Sequence, residues 1–131
     1  MKIDLFTFCE YATNTAGELT IVKTVDNFYA ERFPWRVYFG FAIKGRIINN
    51  PDKNTIISLR IYKKDEPAND IFATESPIME NPGRFAMAGN LRGLIFSVPG
   101  TYIFKIDNNQ GSIHEYEFSV EIEPQRNADT E

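Results

Sequence analysis

The sequence predicts an all-β protein, an immunoglobulin-like sandwich of two antiparallel sheets with about 7–9 strands. Three observations predict it. Apolar residues recur with a period of two rather than 3.6. Turn-forming clusters interrupt the apolar stretches at short intervals. Aromatic residues make up 14% of the chain, with 11 Phe, and together with β-branched residues they suit a pleated, half-buried surface.

The elements follow in order. Strands are predicted over 3–11 and 18–26, either side of the turn Asn14-Thr15-Ala16-Gly17. Residues 26–34 are irregular, with room for one short helical turn. In 35–47, Trp35, Val37, Phe39, Phe41 and Ile43 alternate with Arg36, Tyr38, Gly40, Ala42 and Lys44, so one face enters a core and the other meets water. The same alternation runs through 55–64, where Ile57, Leu59 and Ile61 face inward. Strands 70–79 and 85–98 follow, the second carrying Gly89 and Gly93, which signal a bulge or a break. Strands 101–107 and 113–122 close the set, the last alternating Tyr116, Phe118, Val120 and Ile122 with Glu115, Glu117, Ser119, Glu121 and Glu123. Turns are predicted at Asn49-Asn50-Pro51-Asp52, Glu66-Pro67-Ala68-Asn69, Asn81-Pro82-Gly83, Pro99-Gly100 and Asn108-Asn109-Gln110-Gly111. The expected core is Trp35, Val37, Phe39, Phe41, Ile57, Leu59, Ile61, Tyr102, Phe104, Ile106, Phe118 and Val120.

A chain of 131 residues is one domain's worth, placed here at 1–123. A polar tail over 124–131 is expected to be disordered. The formal net charge is -4, which argues against nucleic acid as the main partner and against anionic membrane surfaces. The opening residues make a poor signal peptide, because Asp4 and Glu10 break the apolar stretch. No apolar run approaches the roughly 20 residues that span a bilayer. Cys9 is the single cysteine, so the fold stands without an internal disulfide, as a reducing compartment permits. A cytoplasmic location is expected.

Three residues place the sandwich in the immunoglobulin-like class. Trp35 lies on the third predicted strand, Tyr102 opens the penultimate one where a tyrosine corner would sit, and Phe104 occupies the position of the second cysteine in antibody domains. Two segments carry a family resemblance. One is Phe8-Cys9-Glu10-Tyr11-Ala12 followed by Gly17-Glu18-Leu19-Thr20-Ile21-Val22. The other is Leu91-Arg92-Gly93-Leu94-Ile95-Phe96 running into Pro99-Gly100-Thr101-Tyr102-Ile103-Phe104. The chain resembles an uncharacterised bacterial family of immunoglobulin-like sandwich domains, a domain of unknown function. That resemblance implies the fold over most of 1–122 and implies no activity.

No residue set predicts catalysis. His114, the single histidine, falls in phase with Tyr116 and Phe118 at a strand end; pairing with Cys9 as base and nucleophile would need both within hydrogen-bond reach. A small buried hydrophobe is the plainer reading of Cys9, and a turn residue that of Ser112. Asp65, Glu66 and Asp70 share one loop that calcium would suit, but solvated acids are the plainer reading. Neither a phosphate-binding loop nor a cofactor motif is present. The stripe Glu115, Glu117, Glu121 and Glu123 reads as a solvated face, or as protection of an edge strand.

The surplus aromatics are the informative feature. Alternation buries Trp35, Phe39 and Phe41, leaving Tyr38 on the opposite face beside Arg36, with Phe28, Tyr29 and Phe33 in the irregular stretch. Tyr62 joins Tyr38 if their strands are neighbours. Tyr29, Phe33, Arg36, Tyr38 and Tyr62 are therefore the candidate interface, with capping of one end of the sandwich as the alternative. The function expected is that of a non-catalytic interaction or structural module, binding a protein partner or its own copy. A carbohydrate- or small-ligand-binding module is the alternative.

Overall fold

The computed structural model describes residues 1–47, 55–77, 84–108, 111 and 113–124. The strands are β1 (Lys2–Thr15), β2 (Glu18–Val25), β3 (Phe28–Ala30), β4 (Trp35–Arg46), β5 (Ile56–Lys63), β6 (Asp70–Pro77), β7 (Arg84–Phe96), β8 (Gly100–Asn108) and β9 (Ile113–Ile122). They form two sheets, one ordered β2-β1-β4-β7 and the other β3-β9-β8-β5-β6. Among the described residues there is no helix, and no helix long and apolar enough to cross a membrane. The predicted turns at 49–52 and 81–83, Ser112 and the tail beyond Pro124 lie outside the described residues.

The two sheets pack through the faces that the alternation marked. Phe39, Phe41 and Ile43 from β4 meet Ile57, Leu59 and Ile61 from β5, Tyr102, Phe104 and Ile106 from β8, and Phe118 and Val120 from β9. Aromatic rings dominate this layer. Phe8 on β1 makes edge contacts with Phe28, Phe39, Phe104 and Phe118 at centroid distances of 4.8–5.6 Å, an arrangement that the ring quadrupole favours. Phe104 is fully buried at the centre. The Tyr102 hydroxyl donates to the Val98 carbonyl at 2.6 Å, the bond that defines a tyrosine corner.

Four details differ from the sequence-based expectation. Residues 28–30 are a strand, and it runs parallel to β9 through Phe28↔Val120 and Ala30↔Ile122, so the sandwich is not wholly antiparallel. Three residues are too few for a period to register. β1 continues four residues past its predicted end at 11. Trp35 and Val37 are half-buried rather than enclosed, because they sit at an end of the sandwich, where Trp35 stacks on Phe96 at 6.1 Å. Gly89 and Gly93 have separate roles. Gly93, at φ +76°, is the extra residue of a bulge between Leu94 and Arg92. Gly89 instead makes room for a ring, since a Cβ there would lie 2.5 Å from Phe41.

The long β1–β2 hairpin does more than extend a sheet. Its turn places Ala16 at φ 53° and Gly17 at φ 87°, the positive pair that a two-residue hairpin loop requires. Asn14 Oδ1 accepts from the Gly17 amide. β1 pairs with β4 as far as Cys9↔Gly40 and then crosses its outer face. The crossing is possible because the surface beneath is small: Gly40, Ala42, Ala86 and Ala88. Cys9, Ala12 and Ala42 make a second, minor core there with Leu19, Ile21 and Ala88.

Candidate functional site

β3 fixes the first candidate residue. Phe28 and Ala30 are buried, so the intervening Tyr29 must point outward and is 57% exposed. The chain then carries Phe33 inward, where it packs against the main core; the capping role is the one that Phe33 fills. From Trp35 onward β4, which belongs to the other sheet from β3, presents Arg36 and Tyr38 on its outer face, so Tyr29 and Tyr38 are carried by different layers. Tyr38 is 64% exposed, with Arg92 of β7 as its cross-strand partner. Arg36 lies over Gly93, within 3.6 Å of where a Cβ would stand. Between β3 and the start of β4 opens a cleft of about 540 Å³, lined by Tyr29, Glu31, Arg32, Pro34, Trp35, Arg36 and Glu123.

Tyr62 does not join this group. β4 has β1 and β7 as neighbours, and β5 belongs to the other sheet. Tyr62 is buried on the outer face of that sheet beneath the Arg60 guanidinium, 4.9 Å from the ring centroid. Burial pushes its phenol above the ordinary range. Arg60 is itself held by Asp70 and by the Pro67 carbonyl.

The other candidates resolve into structural roles. Cys9 is fully buried in the minor core, where desolvation raises its thiol pKa. His114 lies on β9 in the opposite sheet, its Nε2 donating to the Met1 carbonyl at 3.0 Å. The two are in different layers and form no pair. Asp65 pairs with Lys63 and Asp70 with Arg60, so these loop acids face cations. β3 flanks β9 only at Val120, Glu121 and Ile122, so Glu121 lies within the sheet while Glu115 and Glu117 lie where β9 pairs with β8 alone. Glu117 pairs with Lys64, and Glu115 stands opposite Lys105.

The family model of DUF6941, described as a family of unknown function, matches residues 4–121. The chain belongs to this family. The DUF6941 match runs from β1 to β9 and so takes in both sheets, the hairpin and every candidate residue. Membership of DUF6941 assigns no activity to any of them. No curated protein matches the sequence.

Proposed function

We propose that this chain is a non-catalytic binding module with an immunoglobulin-like fold, docking a protein surface, a second copy of itself included, through Tyr29, Arg36 and Tyr38. One observation carries the reading: the tyrosines stand more than half exposed on strands whose alternate residues are locked in the core. Rigid tyrosines with arginines beside them are the composition enriched at protein interfaces, because each ring buries a large area at little entropic cost. Arg36 and Arg92 flank Tyr38 on one sheet, while Tyr29 stands on the other sheet opposite Glu121 of β9. A tyrosine flanked by arginines on one sheet and a tyrosine flanked by a glutamate on the other suit association between copies.

The immunoglobulin-like assignment rests on the tyrosine corner at Tyr102 and on Phe104 at the sandwich centre. A cytoplasmic location is part of the same reading and rests on Cys9 as a buried free thiol; bacterial origin rests on the sequence resemblance. The cleft beside Tyr29 favours one second reading, a small ligand or sugar ring stacked against Tyr29 and Trp35. Alanine replacement separates the readings. Tyr38→Ala weakens association and spares ligand binding in the cleft, whereas Trp35→Ala would have the reverse effect.

A further inference from the structure

The opposite end of β4 carries a different chemistry. Lys2 of β1, Arg46 of β4 and Arg84 of β7 occupy one cross-strand row, because Lys2↔Arg46 and Arg46↔Arg84 are register partners. Alternation places all three on the outer face, with Lys44 one step along. Like charges directly opposite one another on a sheet are destabilising, and this chain has a net charge of -4. Four cations gathered at one spot on an acidic protein therefore call for an anionic counterpart.

Among the described residues one carboxylate pairs with them. Asp4, the extra residue of a bulge in β1, takes a bidentate bond from Arg46 with both contacts at 2.9 Å. Arg46, Lys2 and Arg84 together hold the Asp4 carboxyl below its ordinary value. Lys44 and Arg84 make no ion pair among the described residues. These side chains line a cavity of about 530 Å³, floored by Gly45 and Ala86 and overhung by the hairpin turn at Ala16 and Gly17. The overhang is fixed in place, since Asn14 Nδ2 donates to the Ala86 carbonyl at 3.0 Å. The result is a walled basin with a cationic rim, of the size that holds small ligands.

We propose that this basin binds a phosphate group, carried by a small phosphorylated molecule or present as the free anion. Lys44 and Arg84, neither of them in an ion pair among the described residues, match the two negative charges of a phosphate monoester better than the single charge of a carboxylate. Arg84 offers the planar fork that grips phosphate oxygens in pairs, and Lys44 a mobile point charge. Arg46, already engaged by Asp4, is held in position to complete the rim. This site is separate from the Tyr29–Tyr38 surface and does not depend on it.

The test titrates the protein with inorganic phosphate, with glycerol 3-phosphate and with chloride at matched ionic strength, following amide NMR shifts. Saturable shifts at Ala16, Gly17 and Ala86 with the phosphates and not with chloride are expected. Tighter binding of glycerol 3-phosphate assigns an ester ligand, and tighter binding of inorganic phosphate assigns the free anion. The double variant Lys44→Ala/Arg84→Ala should weaken binding by roughly tenfold or more, the loss expected for charged hydrogen bonds. Lys23→Ala/Lys64→Ala removes the same charge elsewhere and should leave binding unchanged, with thermal melting showing that both variants fold. Shifts no larger with phosphate than with chloride, or equal weakening in the two double variants, would overturn the proposal.

Discussion

Asn90 on β7 and Ala12 on β1 are joined by two hydrogen bonds across the face of β4. The Ala12 amide donates to Asn90 Oδ1 at 3.0 Å, and Asn90 Nδ2 donates to the Ala12 carbonyl at 2.8 Å. One side-chain amide thus acts as a strand partner for a residue beyond the end of the β1–β4 pairing, with Ile21 of β2 on its other side. It serves both backbone groups, where an unmet pair would be costly. Asn90→Ala should destabilise the protein by about 1–3 kcal/mol, read by urea denaturation. Asn90→Asp keeps the acceptor but loses the Nδ2 donor, and should fall between the two.

Gly40 sits beneath this crossing. A Cβ there would stand 2.7 Å from Asn90 Oδ1, 3.2 Å from the Ala12 nitrogen and 3.2 Å from Cys9 Sγ. Two of those neighbours are held by the bonds just described, so the strain cannot be relieved locally. Gly40→Ala should therefore lower the melting temperature, with amide exchange quickening first along 10–20. Exchange that rises evenly over the whole sandwich would show that the hairpin is not a separate unit.

The main core gives the largest expected loss. Phe104 is fully buried and touches rings of Phe6, Phe8 and Phe41. Phe104→Ala should cost about 3–5 kcal/mol, a large part of the stability of an ordinary domain. A melting temperature within a degree or two of wild type would contradict the packing described.

Burial raises Cys9, Tyr62, Tyr102 and Tyr116 together. In each case the folded state favours the protonated, neutral form. The unfolded chain releases these protons first, at the ordinary values of 9.0 for the thiol and 10.0 for the phenols. Their contribution is intact below those values and is lost as pH rises through and beyond them. Melting temperature should accordingly fall steeply above about pH 9, and Cys9 should react slowly with alkylating reagents in the native protein.

Much of the fold was legible because alternation is a local signal. Phe39, Phe41, Leu59, Phe104 and Phe118 each share a face with near neighbours in the sequence, and a buried face sets the register. The Gly93 bulge and the Tyr102 corner were legible for the same reason. β3 was not, being three residues long and held by a partner 92 positions away, as Phe28↔Val120 shows. The sheet order was equally hidden, which is why Tyr62 looked like a companion of Tyr38. The Lys2–Arg46–Arg84 row was invisible for the same cause: three residues far apart in the chain become neighbours only through register. Gly40, Ala42, Ala86 and Ala88 did carry a signal, since small residues on an outward face are out of place unless something lies on them.

The association reading is tested most directly by sedimentation of the wild-type chain and of Tyr29→Ala/Tyr38→Ala over a concentration series reaching high micromolar. Both substituted side chains are exposed, so the variant should keep the wild-type melting temperature. The wild-type mass should climb toward that of a dimer while the variant stays monomeric. A wild-type chain that remains strictly monomeric throughout, or a variant that associates as well as wild type, would contradict it.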